Sequence, residues 1–288
     1  MRSVTRISRH SLIVALVGLA LLVGVSAVAW AESGKPAATA KAPLKGFVWE
    51  GEEIFYSVEV SGTEAARASI RAGTRKKKRG VSYVPLSAKA ITHGFFAKSY
   101  PVNDNGDTFV NPDTLLPLKA DKYIREDGEE RVYKVRFDPS KSAARVFKKV
   151  GKKERNFERA VPGETYDALS WLYALRSKPL KNGDSYIFYV YDGWKLSRLH
   201  VKVMGREKTW TPVQYYQTVK IEIKREILNS RWSGKGKDRE TKLSTRVKPY
   251  YFSTLHLSDD DKRIPVRVFM TSKMGDADFK IIKYTPPK

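Results

Sequence analysis

The chain predicts a mainly β protein: a large curved antiparallel sheet or open β-barrel of roughly ten to twelve strands, with one buried helix near residues 165–177. Three observations predict it. Apolar residues alternate with charged or small ones through most of the chain, turn-forming residues interrupt that alternation at short spacing, and one segment switches to helical periodicity. Strict alternation puts successive side chains on opposite faces, so each strand has a dry face and a wet, largely basic one.

Two segments precede the sheet. Arg2, Arg6 and Arg9 stand ahead of an apolar run from Leu12 to Val28, followed by Ala29-Trp30-Ala31. A charged start, an apolar centre and small residues at Ala29 and Ala31 make residues 1–31 a signal peptide. The expected location is the periplasm of a Gram-negative bacterium. If the leader is retained, the protein is N-terminally anchored at the inner membrane, because a run of about 20 apolar residues spans a bilayer. Residues 32–46 are Ala, Pro and Lys with little to bury and read as a flexible linker. Residues 47–288 then form a single β-rich domain, long enough to bury its own core.

The strands follow. Ile54, Tyr56, Val58 and Val60 alternate with Phe55, Ser57 and Glu59; Ala66, Ala68, Ile70 and Ala72 alternate with Arg67, Ser69 and Arg71. Val132, Val135 and Phe137 sit among Arg131, Lys134 and Arg136, and Val201 and Val203 flank Lys202. Val219, Ile221 and Ile223 alternate with Lys220, Glu222 and Lys224, and Val266 and Val268 flank Arg267. Turn chemistry separates these runs at Asn103–Asp107, Glu126–Glu129, Asp138–Ser140, Asn182–Asp184, Asp192-Gly193 and Ser258–Asp261. Between Thr165 and Ser177 the pattern becomes helical. Thr165 is the expected cap, Asp167 suits the positive first turn, Arg176 and Lys178 suit the C-terminal end, and Pro179 stops the helix. Tyr166, Leu169, Leu172 and Tyr173 share one face, and Ala168, Trp171 and Leu175 carry apolar surface round another. A helix this apolar is expected on the concave face of the sheet, as a plug or as a lid over an apolar interior.

Composition narrows the chemistry. There is no Cys, so disulfides, thiol nucleophiles and Cys-ligated metals are excluded. The net charge is +23; the leader holds three of the arginines and no acid, which leaves about +20 on the remainder. Such a charge seeks polyanions. Outside the cytoplasm these are anionic lipid headgroups, lipopolysaccharide phosphates and acidic glycans, and no nucleic acid is expected. Three basic clusters fall in expected loops: Arg75, Lys76, Lys77, Lys78 and Arg79; Lys148 and Lys149 with Lys152 and Lys153; and Arg231, Lys235, Lys237 and Arg239 beside Trp232. Meeting at one rim, they would engage an anionic surface at about 1 kcal/mol per well-placed cation.

Recognisable catalytic motifs are missing. There is no G-x-S-x-G and no H-E-x-x-H. His93, His200 and His256 read as structural, Asn103–Asp107 and Asp259–Asp261 as turns instead of calcium loops, and no carboxylate pair is nominated. No cofactor and no metal are expected.

Several short signatures recur in a telling order: Gly51-Glu52-Glu53-Ile54-Phe55-Tyr56, Asn111 to Pro117, Tyr166 to Arg176, Leu180 to Asp184, and Asp261-Lys262-Arg263-Ile264-Pro265-Val266. In that order the chain resembles an exported bacterial family catalogued as domain of unknown function 3108. The resemblance implies a mostly antiparallel curved sheet and supplies no activity and no catalytic residue. The implied architecture is similar to the open barrels of the Lol lipoprotein carriers, whose concave apolar face is covered by helices and holds acyl chains.

Three function classes stay open. The first is a non-enzymatic periplasmic binder of a lipid or other amphiphile, with Tyr166, Leu169, Trp171, Leu172, Tyr173 and Leu175 lining the interior and the basic loops on headgroups. The second is an envelope scaffold with a packed core whose charged exterior binds anionic polysaccharide. The third is a hydrolase without a recognisable motif.

Overall fold

The computed structural model describes residues 46–234, 240–272 and 275–288. The expected leader with Ala29 and Ala31, the linker up to residue 45, and Lys235, Lys237 and Arg239 lie outside the described residues.

Among the described residues the chain forms sixteen strands. These are β1 (Glu53–Val60), β2 (Thr63–Ala72), β3 (Lys76–Lys78), β4 (Val81–Thr92), β5 (Asn103–Val110), β6 (Pro117–Glu126), β7 (Glu129–Asp138) and β8 (Ala143–Val150), then β9 (Lys153–Ala160), β10 (Thr165–Tyr166), β11 (Ser185–Tyr191), β12 (Leu196–Trp210), β13 (Tyr215–Ser233), β14 (Glu240–Ser258), β15 (Pro265–Ser272) and β16 (Gly275–Thr285). Two helices interrupt them, α1 (Gly94–Ser99) and α2 (Ser170–Arg176). One sheet runs in the order β10-β11-β12-β13-β14-β15-β16-β1-β2-β4-β5-β6-β7-β8-β9, with β3 paired to β4. Every pairing is antiparallel except β10 with β11.

The sheet is large, curved and open, as the alternation predicts. It curls until the end of β9 touches β13 and β14 through side chains and not through a ladder: Ser230 Oγ donates to the Ala160 carbonyl at 2.6 Å and Thr241 Oγ1 to the Val161 carbonyl at 3.3 Å. The strand number exceeds ten to twelve for physical reasons. β9 is an edge strand whose residues are nearly all exposed, so it carries no apolar alternation. Asn103–Asp107, expected as a turn, is the first half of β5, where tertiary context overrides the turn preference of Asn, Asp and Gly.

Register places the expected apolar rows on the inner face. Ile54, Tyr56, Val58, Ala66, Ile70, Val201, Val203, Val219, Ile221, Ile223, Val266 and Val268 are all buried in one core with α2. β2 and β4 contribute small residues to the same core, Ala66, Ala68, Ala88 and Ala90, while Trp171 of α2 packs on Phe188 and Tyr173 on Phe47 and Trp49. The hairpins are closed by the residues their turns require; Asp127 and Gly128 have φ of 47° and 79°, both positive as in a type I′ turn. Among the described residues no helix is long and apolar enough to cross a membrane.

A second, smaller core joins the two arms of the curl: Val135, Ala144 and Val146 from β7 and β8 pack with Tyr191, Leu196 and Leu228 from β11 to β13. The turn between β11 and β12 makes this contact. Gly193 has φ +89°, and a Cβ there would stand 3.0 Å from Tyr133 Cβ and 3.2 Å from Val135 Cγ2. Both the backbone angle and the space require glycine. Gly193→Ala is therefore expected to lower stability by about 1–3 kcal/mol, read as a shifted urea midpoint.

Candidate functional site

The buried helix is the centre of the inner face, and its residues show what the interior can do. All seven residues of α2 are buried. It is shorter than the expected Thr165–Ser177 segment, and its cap is different. Asp167 Oδ1 accepts from the Ser170 amide at 2.9 Å and Oδ2 from the Leu169 amide at 3.2 Å, while the Asp167 amide donates to Ser170 Oγ at 3.0 Å. Thr108 of β5 adds a hydrogen bond to Asp167 Oδ2 at 2.5 Å. Thr165 instead lies in β10 and donates to the Pro162 carbonyl. A carboxylate accepts two amides where a hydroxyl accepts one, which explains the choice of Asp167.

The C-terminal end departs further from expectation. Arg176 does not reach toward solvent and the helix dipole; its side chain is fully buried and pairs with the fully buried Glu52, just ahead of β1. The contact is bidentate, Nη1 to Oε2 at 2.7 Å and Nη2 to Oε1 at 2.6 Å. Tyr173 and Tyr284 donate to the same carboxylate at 3.3 and 3.2 Å. Arg176 Nη2 also donates to the Lys262 carbonyl at 2.9 Å, which accepts from Trp49 Nε1 at 3.0 Å. The guanidinium lies 4.5 Å from the Trp49 ring centre. Burial, then Glu52, holds the Tyr173 phenol well above its ordinary pKa, so it stays a donor. Burial disfavours the Arg176 charge, but Glu52 outweighs it and keeps the group cationic.

Three of the sequence signatures converge here. Gly51–Tyr56 supplies Glu52, Tyr166–Arg176 the helix, and Asp261–Val266 the Lys262 carbonyl and, through Pro265, the acceptor of the Tyr56 hydroxyl at 2.8 Å. Next to Leu180–Asp184, Arg263 donates to the Lys178 and Pro179 carbonyls.

The interior so built is filled. Leu169, Trp171, Leu172, Tyr173 and Leu175 are 0–3% exposed, and Tyr166 is half-buried against Phe188. The cavity beside Thr108, Asp167 and Leu169 measures about 20 Å³, the room of a single water.

The basic clusters do not meet at one rim. Arg75 pairs with Glu50, Lys76–Lys78 form β3 against β4, and Arg79 with Gly80 makes the turn between them, beyond the end of β2. Antiparallel alternation puts the β8–β9 turn, with Lys152 and Lys153, at the other strand end, the end where β13 and β14 are joined and Arg231 lies exposed. Lys148 and Lys149 lie in β8 and face opposite ways: Lys149 pairs with Glu154 at 3.0 Å on the outer face, and Lys148 turns inward over Tyr133 and Trp194.

Among the described residues each histidine has a glutamate partner: His93 with Glu64, His200 with Glu226, and the buried His256 with Glu207. The fold also assembles an acid pair that the sequence does not nominate. Asp104 of β5 and Glu126 of β6 are 1% and 3% exposed, and Arg131 binds Glu126. Burial first, then Glu126, pushes the Asp104 carboxyl up to about 8. The open groove beside them, about 370 Å³, is lined by Ile91, Val102, Asn103, Arg125 and Glu129, and neither carboxyl opens into it. The pair is structural.

Two outcomes test this arrangement. Arg176→Met leaves Glu52 buried without a counter-charge and is expected to cost about 3–5 kcal/mol in urea unfolding, with much of the loss recovered when Glu52→Gln is added. For the acid pair, a folded pKa of about 8 against an ordinary 3.8 means that protonated Asp104 contributes fully below about pH 4 and that this contribution is lost as pH rises to about 8. The melting-temperature gain of Asp104→Asn over the native protein is expected to grow across that window.

Comparison with known proteins follows the same lines. No curated protein matches this chain. Among solved structures it is similar to a β-barrel-like protein of domain of unknown function DUF1849 from Brucella abortus, with a TM-score of 0.55 and 11% identity over 84% of this chain and 100% of that one. That likeness shows a shared fold. A "putative lipoprotein" from Parabacteroides distasonis and a "putative exported protein" with a YmcC-like fold from Bacteroides fragilis, each 11% identical over 85% of this chain and 100% of theirs, have TM-scores of only 0.32 and 0.31. Residues 55–282 match the model of the family described as protein of unknown function (DUF3108). With most of its length matched, this chain belongs to the DUF3108 family.

Proposed function

We propose that this protein is an exported, non-enzymatic scaffold of the cell envelope whose packed body presents cations to anionic polysaccharide. The observation that carries this reading is the position of α2. A carrier of acyl chains needs a hollow to hold them; here the helix packs on the inner face of the sheet, with all seven residues buried and its last one in a fully buried ion pair. Emptying the interior would separate Arg176 from Glu52 and expose Trp171, Leu172, Tyr173 and Leu175, each worth about 1.5–3 kcal/mol of burial. Export rests on the leader, and the attraction for polyanions on the charge of +23.

Native mass spectrometry of protein taken from the cell envelope is expected to give the bare polypeptide mass. Binding to polygalacturonate is expected at low ionic strength and to weaken severalfold as salt rises past the physiological range. A stoichiometric lipid in the spectrum would restore the carrier reading. Recovery of the intact chain, leader included, from cytosolic extract would remove export.

A further inference from the structure

Three lysine ammoniums lie along two aromatic rings at the edge of the second core, and Asp192 is the carboxylate that acts on Lys195 there. Lys122 of β6 and Lys148 of β8 lie 5.2 and 5.7 Å from the centre of the same Tyr133 ring. Lys148 is also 5.7 Å from the Trp194 ring, and Lys195 is 4.5 Å from it. Nearby lysines on the outer face are neutralised, Lys119 by Asp121 and Lys149 by Glu154. Among the described residues, Lys122, Lys148 and Lys195 have no such partner. The aromatic faces hold them instead, which keeps the ammoniums in place while leaving their N–H donors free.

The groups around them add positive charge. Arg225 of β13 is fully buried on the inner face; its Nε donates to Ser197 Oγ at 2.9 Å, two residues from Lys195, and the groups that bear on its guanidinium are Tyr250 and Asp192. Arg246 of β14 also bears on Lys195. The one acid on the same turn is Asp192, whose Oδ1 is taken by the amides of Trp194 and Lys195 at 2.7 and 2.6 Å. Glu126, close to Tyr133, is already bound by Arg131. Burial first, and Arg225 second, push the Lys195 ammonium down to about 8 against the opposing pull of Asp192, as expected where cations outnumber the carboxylates. Trp194 is 46% exposed, so the cluster opens to solvent.

We propose that Lys122, Lys148 and Lys195, backed by Arg225, form a seat for a phosphate monoester dianion, the group carried by a phosphorylated sugar. One carboxylate would bring a single charge to several cations, whereas a phosphate monoester brings nearly two and three acceptor oxygens. Lysines on flexible stems bind phosphate as point charges and can close on those oxygens. The convergence needs the curl of the sheet: Lys122 and Lys148 come from one arm, Lys195 and Arg225 from the other, and Gly193 lets the turn lie against Tyr133. This site goes beyond the polysaccharide reading, adding to the exposed cations a seat for phosphate, and rests on that reading only for the source of the group.

The test is calorimetric titration of the protein, purified as the cell processes it, with inorganic phosphate, glucose 6-phosphate and glucose. Phosphate and glucose 6-phosphate are expected to bind and glucose is not; tighter binding of the sugar phosphate identifies a saccharide source, equal binding a seat for free phosphate. The triple variant Lys122→Gln, Lys148→Gln, Lys195→Gln is expected to weaken binding by about tenfold or more, while Lys76→Gln, Lys77→Gln, Lys78→Gln, which removes equal charge elsewhere, leaves it unchanged. If the first triple variant does not melt cooperatively, the single Lys148→Glu carries the same expectation. Silence of the native protein toward both phosphates, or equal loss in both triple variants, overturns the proposal. A lipid in the native mass spectrum would overturn the scaffold reading and leave this titration unaffected.

Discussion

A guanidinium and a carboxylate, both removed from water, hold the rest of this molecule in register. Glu52 and Arg176 are 124 residues apart and meet with no exposed side-chain surface. Burying such a pair is worthwhile only when its remaining donors and acceptors are used. Here two tyrosine hydroxyls take up the carboxylate, the Lys262 carbonyl takes a third guanidinium hydrogen bond, and Trp49 covers the cation, which leaves Nε of Arg176 as the one guanidinium nitrogen without a hydrogen bond. A seven-residue helix has no stability of its own in water. Its position is dictated from outside, by Asp167 and Thr108 at one end and Glu52 at the other. The start of the sheet, the helix and the turn before β15 are therefore one cooperative unit.

That unit fixes the outline of the interior. The large side chains of α2 pack on Phe47, Trp49 and Phe188 within the same core as the alanines of β2 and β4. The long strands β12 to β14 then reach past the helix and turn back against β7 and β8, where no helix intervenes. Contact between the two arms is tight enough that Gly193 is needed, and it gathers lysines whose neighbours along the strands face the other way. The same curl that buries Val135 and Leu228 thus concentrates positive charge at the edge of their contact.

Sequence legibility followed the source of each signal. Where one face of a strand is buried and the other wet, as from Ile54 to Val58 or Val219 to Ile223, alternation alone identified both the strand and its inner residues. Where both faces are exposed, as in β9, no such signal exists. Asn103–Asp107 misled because its residues favour turns, while its position between β4 and β6 and the partners of Asp104 hold it extended. Helix α2 is legible from its apolar surface, but it begins later than a Thr165 cap predicts, because Thr165 is taken into β10 and Asp167 accepts the first helix amides. Arg176 looked like an ordinary C-terminal cation; nothing local marks it as the partner of Glu52, although the ordered signatures contained both.

By itself the sequence determined the β-rich class, the faces of the main strands, the burial of one helix, the absence of thiol chemistry and the excess of positive charge. These depend on local periodicity and composition, which each segment carries alone. The tertiary structure decided that the interior is filled, that the basic clusters separate to different ends, and that Lys122, Lys148 and Lys195 converge while Asp104 and Glu126 face each other in the dark of the core. Those outcomes arise from contacts between residues tens to more than a hundred positions apart, and only the curl of the sheet brings them within reach.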